Sequence, residues 1–102
     1  HLHGGKAGFD SRLWQIDSHS ATHVTFGLVS PDGDMGFPGT LQASATYRLR
    51  GLGLEIEMTA TTDAPTVVNL VNHAYFNLAG QASGTILNQM LCVEAGLYLP
   101  GG

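Results

Sequence analysis

Two stretches of this chain alternate strictly between apolar and polar residues. Leu41, Ala43, Ala45, Tyr47 and Leu49 interleave with Gln42, Ser44, Thr46 and Arg48. Leu54, Ile56, Met58 and Ala60 interleave with Glu55, Glu57, Thr59 and Thr61. A period of two puts one set on the covered face of a β-strand and the other toward water. Gly51-Leu52-Gly53 between them suits a hairpin connection. Upstream, residues 12–16 and 24–29 read as shorter strands joined by a polar turn of Asp17, Ser18, His19 and Ser20. Residues 30–39 carry Pro31, Gly33, Gly36, Pro38 and Gly39, so regular structure is expected to stop there. Asp63-Ala64-Pro65 breaks the chain after the second long strand.

Residues 66–78 follow a different pattern. Val67, Val71 and Tyr75 fall on one side of an extended chain, and Val68, Leu70 and Phe76 on the other. Apolar residues on both sides predict a central strand covered on both faces. Asn69 and His73 share the Val71 side, and Asn72 lies opposite. Buried polar side chains are costly unless paired, so these residues form either a satisfied structural network or a site. Residues 80–84 read as a loop and 86–94 as a further strand. The expected fold is all-β and antiparallel, a β-sandwich with sheet packed on sheet.

Composition narrows the function classes. The chain has 102 residues, 43% hydrophobic and 12% charged, which describes one globular domain at most. Its net charge is −4 with four Lys and Arg, so it has no basic footprint for nucleic acid or for a membrane surface. A single cysteine, Cys92, rules out a disulfide framework or a thiolate metal cluster. Cys92 lies between Leu91 and Val93 and is expected to be a buried, inert thiol in a reducing, cytoplasmic compartment. The chain opens at His1 without an apolar leader and closes at Pro100-Gly101-Gly102, so it is expected to be part of a longer polypeptide.

The candidate chemistry centres on two histidines. Imidazole changes charge near neutral pH and can pass a proton there. His73 sits beside Asn72 and near Asn77 in a run that avoids charge; amides donate and accept, as a polyol ligand requires. His3 precedes Gly4 and Gly5, which permit a tight turn close to a ligand. Each histidine is either a hydrogen-bonded structural residue or part of a site. His1 and His3 could pair on a metal, but no third ligand is spaced to join them. Asp32-Gly33-Asp34 lacks the further acidic ligands of a calcium loop and reads as a turn. His3-Gly4-Gly5 has no matching nucleophile elbow, since Gly80-Gln81-Ala82-Ser83-Gly84 has the wrong spacing. Trp14 reads as core; Phe37 either covers the core or lines a cleft. His19 and His23 read as turn and strand-edge residues.

In order along the chain stand four motifs. Leu2-His3-Gly4-Gly5 continues into Gly8-Phe9-Asp10 and Trp14; Ser30-Pro31-Asp32-Gly33-Asp34-Met35-Gly36-Phe37-Pro38-Gly39 follows. Then come Val68-Asn69-Leu70-Val71-Asn72-His73-Ala74-Tyr75-Phe76-Asn77-Leu78 and Tyr98-Leu99-Pro100. Together they resemble the aldose 1-epimerase family, nearly end to end. The resemblance implies the middle portion of a large antiparallel β-sandwich, with residues 1–102 forming one partial domain. It implies a cofactor-free enzyme that interconverts the α and β anomers of free hexoses such as galactose and glucose. By that pattern His73 is the acid that protonates the ring oxygen, and His3 hydrogen-bonds the sugar and stabilises developing charge. Asn72 joins them in binding substrate. The family's base, a glutamate, matches no position here, nor do its sugar-binding arginine and aspartate. Asn88-Gln89 departs from the family pattern and reads as a surface substitution. Two other readings are a carbohydrate-binding sandwich that has lost the base, and an epimerase of phosphorylated sugars. The latter would need a basic clamp, and Lys6, Arg12, Arg48 and Arg50 form no evident one.

Overall fold

The computed structural model describes residues 3–98. It is all-β, with strands β1 (Gln15–His19), β2 (His23–Ser30), β3 (Leu41–Arg50) and β4 (Gly53–Thr62). Single 3₁₀ turns occupy Phe9–Ser11 and Asp34–Gly36. The strands form one antiparallel sheet in the order β1-β2-β3-β4, one layer of the predicted sandwich. Two bodies divide the chain, residues 1–72 and 73–102, and the sheet belongs to the first.

Register decides which residues share a face. Directly opposed residues in an antiparallel pair point the same way. Ile16 opposes Phe26, Phe26 opposes Ala45, and Ala45 opposes Met58. Val24, Tyr47 and Ile56 form the next row, and Leu28, Ala43 and Ala60 another. These rows make an apolar face whose most buried members are Leu41, Ala43 and Ala45 on β3. The opposite face is polar. Thr25 and Thr46 join hydroxyls at 2.9 Å, Ser44 and Thr59 at 2.8 Å, and Arg48 and Arg50 both hold Glu55. The period-two pattern of residues 41–61 therefore gave strands and faces correctly. At the hairpin, Gly51 has φ +60, the left-handed position a two-residue glycine-first turn demands.

Three expected elements differ. The first strand runs from 15 to 19, not 12 to 16, because Trp14 Nε1 donates to the Phe9 carbonyl and ties residues 9–14 into their own turn. A bulge between Ile16 and Ser18 then lets β1 continue, and the reversal moves to Ser20, whose amide donates to the His23 carbonyl. Residues 66–78 and 86–94 join no ladder; they run as irregular chain. Apolar residues on both sides specify cover, but a strand also needs a backbone partner for its N–H and C=O groups. Among the described residues no strand ladder includes these segments. Cys92 is accordingly exposed, with Leu91 and Val93, rather than buried.

Candidate functional site

The turn at His3 is built from unusual backbone. His3, Gly4 and Gly5 all have positive φ, at 59°, 81° and 106°. Glycine adopts that region freely, but histidine does so at a cost of about 1–2 kcal/mol. Such strain persists only where neighbours enforce it, and it concentrates at functional positions. Gly8 is buried directly beneath: a β-carbon there would overlap the His3 carbonyl oxygen. Gly5 abuts Met35, whose Sδ would lie 2.9 Å from an added β-carbon. The His3 side chain is exposed.

Met35 belongs to the loop at residues 31–40, held by its own acids. Asp32 Oδ1 accepts from the Gly39 amide at 2.6 Å. Asp34 Oδ1 accepts from Arg12 Nη2 at 2.6 Å, and its Oδ2 takes the Ser30 hydroxyl. Arg12, with Ser30, holds the Asp34 carboxyl below the ordinary carboxylate range. Both acids therefore serve the turn reading and not a calcium loop. Phe37 near the loop's end is 40% exposed.

Asn72 is half-buried and reaches back to the sheet. Its Nδ2 donates to Tyr47 Oη at 3.1 Å, and the Tyr47 ring meets Phe26 edge-on at 6.1 Å. This anchors the chain just before His73 to the apolar face. Nearby, Phe9, Trp14, Phe26, Tyr47, Met58 and Val71 help line a hollow of about 430 Å³. Trp14 meets Phe9 edge-on at 6.3 Å and is half-buried at that hollow, outside the buried core.

His73 opens the second body. It is exposed rather than sealed among aliphatic side chains, and its ring lies 5.2 Å from that of Tyr75, tilted by 59°. In the same body Asn77 fixes the following loop: its Oδ1 accepts from the Ala79 amide at 3.1 Å and from Gln89 Nε2 at 2.7 Å. Gln89 is half-buried and its Oε1 accepts the Leu78 amide, so it is a loop clamp and not a surface substitution.

Of the sequence-derived site residues, His3 and Asn72 lie in the first body and His73 in the second. The reading of His1 with His3 as a metal pair, and the motif at Tyr98-Leu99-Pro100, fall partly outside the described residues. Arg12 and Tyr47 support the motif residues, and pattern reading gave neither that role. Arg12 reaches Asp34 across 22 residues and Tyr47 reaches Asn72 across 25, beyond any local motif. Arg12, Arg48 and Arg50 are engaged by Asp34 and Glu55, which leaves the phosphate-clamp reading without support.

Comparison with known proteins follows the same motifs. The family described as aldose 1-epimerase matches residues 1–100. The chain is 48% identical over 100 residues to the aldose 1-epimerase of Escherichia coli K12. It is 48% identical over 99 residues to the galactose mutarotase of Homo sapiens, and 46% identical over 101 residues to that of Rattus norvegicus. In each case the match covers 97% of this chain and 29% of the relative.

Proposed function

This chain belongs to the aldose 1-epimerase family, and on that premise we propose that the complete polypeptide carrying it interconverts the anomers of free hexoses. Galactose and glucose are the substrates in this reading. Supporting it is one observation: the family match runs through both histidine motifs, with about half of all residues identical to two named epimerases.

The reaction needs a proton removed from the C1 hydroxyl and another delivered to the ring oxygen. The ring C–O bond then breaks, an aldehyde forms at C1, its carbonyl rotates, and the steps reverse. In this reading His73 as imidazolium donates to the ring oxygen, a general-acid contribution of roughly 10²–10⁴-fold. His3 donates a hydrogen bond to the sugar and steadies the charge that builds as the ring opens. Asn72 contributes hydroxyl recognition, its amide held in place by Tyr47. The C1 proton goes to a base elsewhere in the complete polypeptide, and no cofactor takes part.

The test is anomer exchange, followed by polarimetry or NMR with the complete polypeptide. Exchange well above a buffer control is expected, with His73→Asn lowering kcat by 10²-fold or more. Hexose binding without accelerated exchange would instead identify a carbohydrate-binding protein and remove the proposal.

A further inference from the structure

We propose that Arg12 is a positioning residue for His3, acting by joining two strained turns through one guanidinium. The inference rests on the reading of His3 as a sugar contact, but its own readout is the conformation of His3.

Two non-glycine residues in this region hold left-handed backbone, His3 at φ 59° and Met35 at φ 50°. They belong to turns that meet: the Met35 side chain fills the space where Gly5 has no β-carbon. Arg12 bonds to both. Its Nε donates to the Ala7 carbonyl at 3.1 Å, inside the His3–Gly8 turn. Its Nη2 donates to Asp34 at 2.6 Å, next to Met35 in the chain. The planar guanidinium fixes the angle between these two donors, a constraint a flexible ammonium does not impose. The Arg12 side chain is 23% exposed and that of Asp34 10%, so the link is shielded more than a surface ion pair. Ser30, the buried polar residue at the end of β2, closes the other side of Asp34. The chain of contact thus runs from the rigid sheet through Ser30, Asp34 and Arg12 to Ala7, with Met35 pressing on Gly5.

Removing the guanidinium takes away the tie between the His3–Gly8 turn and the Met35 loop. The turn then relaxes, and the imidazole loses its fixed place. A misplacement near 1 Å at a substrate contact costs on the order of 10²-fold in rate.

The experiment uses Arg12→Met, Arg12→Lys and Asp34→Asn in the complete polypeptide. Three readouts are followed: the His3 ring resonances, amide exchange at Gly5 and at Ala43 and Ala45, and the kinetics of anomer exchange. Arg12→Met and Asp34→Asn are expected to shift the His3 signals and speed Gly5 exchange while Ala43 and Ala45 stay protected. Arg12→Lys should recover part of the effect. kcat/KM should fall roughly 10- to 100-fold with Arg12→Met. Unchanged His3 signals in both Arg12→Met and Asp34→Asn overturn the inference. So does equal loss of protection at Gly5 and at Ala43 and Ala45, which marks Arg12 as a general stabiliser. A wild-type protein that exchanges no anomers defeats the functional reading instead, and the His3 resonances still decide this one.

Discussion

Gly5 carries two separate constraints, and a pair of substitutions separates them. Its φ of 106° disfavours any L side chain, and Met35 occupies the β-carbon position. Gly36 has φ 85° with open space around it, so it carries the backbone constraint alone. Gly36→Ala should therefore cost about 1 kcal/mol, and Gly5→Ala about 2–3 kcal/mol because Met35 must also move. Urea unfolding of the complete polypeptide measures both; equal losses would mean that Met35 yields freely. Asp34 supplies a pH dependence at the same place. Its carboxyl is held below the ordinary value of 3.8, chiefly by Arg12 and Ser30. A depressed acid stabilises the folded state at pH values above its unfolded value, and that contribution is lost as pH falls through the folded one. Loop 31–40 should thus loosen only in acid, below the usual carboxylate range. Asp34→Asn should abolish that acid step while leaving behaviour at neutral pH without further pH dependence from this residue. Amide exchange at Gly36 and Phe37 across an acid series reads it out.

At the scale of elements, the bulge in β1 is the feature that sets its register. Asp17 is the extra residue between Ile16 and Ser18, and its carboxylate lies directly against Gly27 of β2. A β-carbon on Gly27 would overlap that carboxylate. Gly27→Val should therefore drive Asp17 off the sheet and detach β1, with β2–β4 intact. Hydrogen exchange should show lost protection at Ile16 and Ser18 but not at Ala43 or Ala45; retained protection in β1 would mean the bulge repacks at little cost. This bulge also marks the limit of what pattern reading could reach. Residues 41–61 were legible because each strand's alternation is local and the hairpin glycines bound it. The start and end of β1 were not, because they depend on Trp14 bonding Phe9 and on space left by Gly27, ten residues away. The histidine motifs were legible as residue types, yet what holds them was not. Tyr47 reads as one more apolar strand residue, and only the fold brings its hydroxyl to Asn72. Segments 66–78 and 86–94 show the converse. Their apolar pattern records a need for cover, and a pattern cannot say where the covering strands come from.

At the scale of the whole molecule, the distribution of apolar surface decides how the 102-residue chain behaves alone. Among the described residues the buried apolar side chains are Leu41, Ala43 and Ala45, two of them single methyl groups. Tyr75 is 88% exposed and Met90 94%, in company with Val71, Leu78, Leu87 and Leu91. Burying one such side chain contributes about 1.5–3 kcal/mol, and ordering one residue's backbone costs about 1–2 kcal/mol. A chain that leaves so many large side chains in water forgoes the term that must offset that entropy. Its edges compound the problem, because β1 and β4 lie at the two sides of the sheet and among the described residues no further strand pairs with them. The isolated chain should therefore bind a hydrophobic dye, melt without a sharp transition and self-associate with rising concentration. With the C1 base proposed to lie elsewhere in the complete polypeptide, the isolated chain should also leave hexose anomer exchange at the buffer rate. The complete polypeptide, in which further chain can cover segments 66–78 and 86–94, should melt cooperatively and bind little dye. Calorimetry and sedimentation of the two side by side make the comparison. A single cooperative, concentration-independent melt of monomeric 102-residue chain would show that the β1–β4 sheet needs no covering layer.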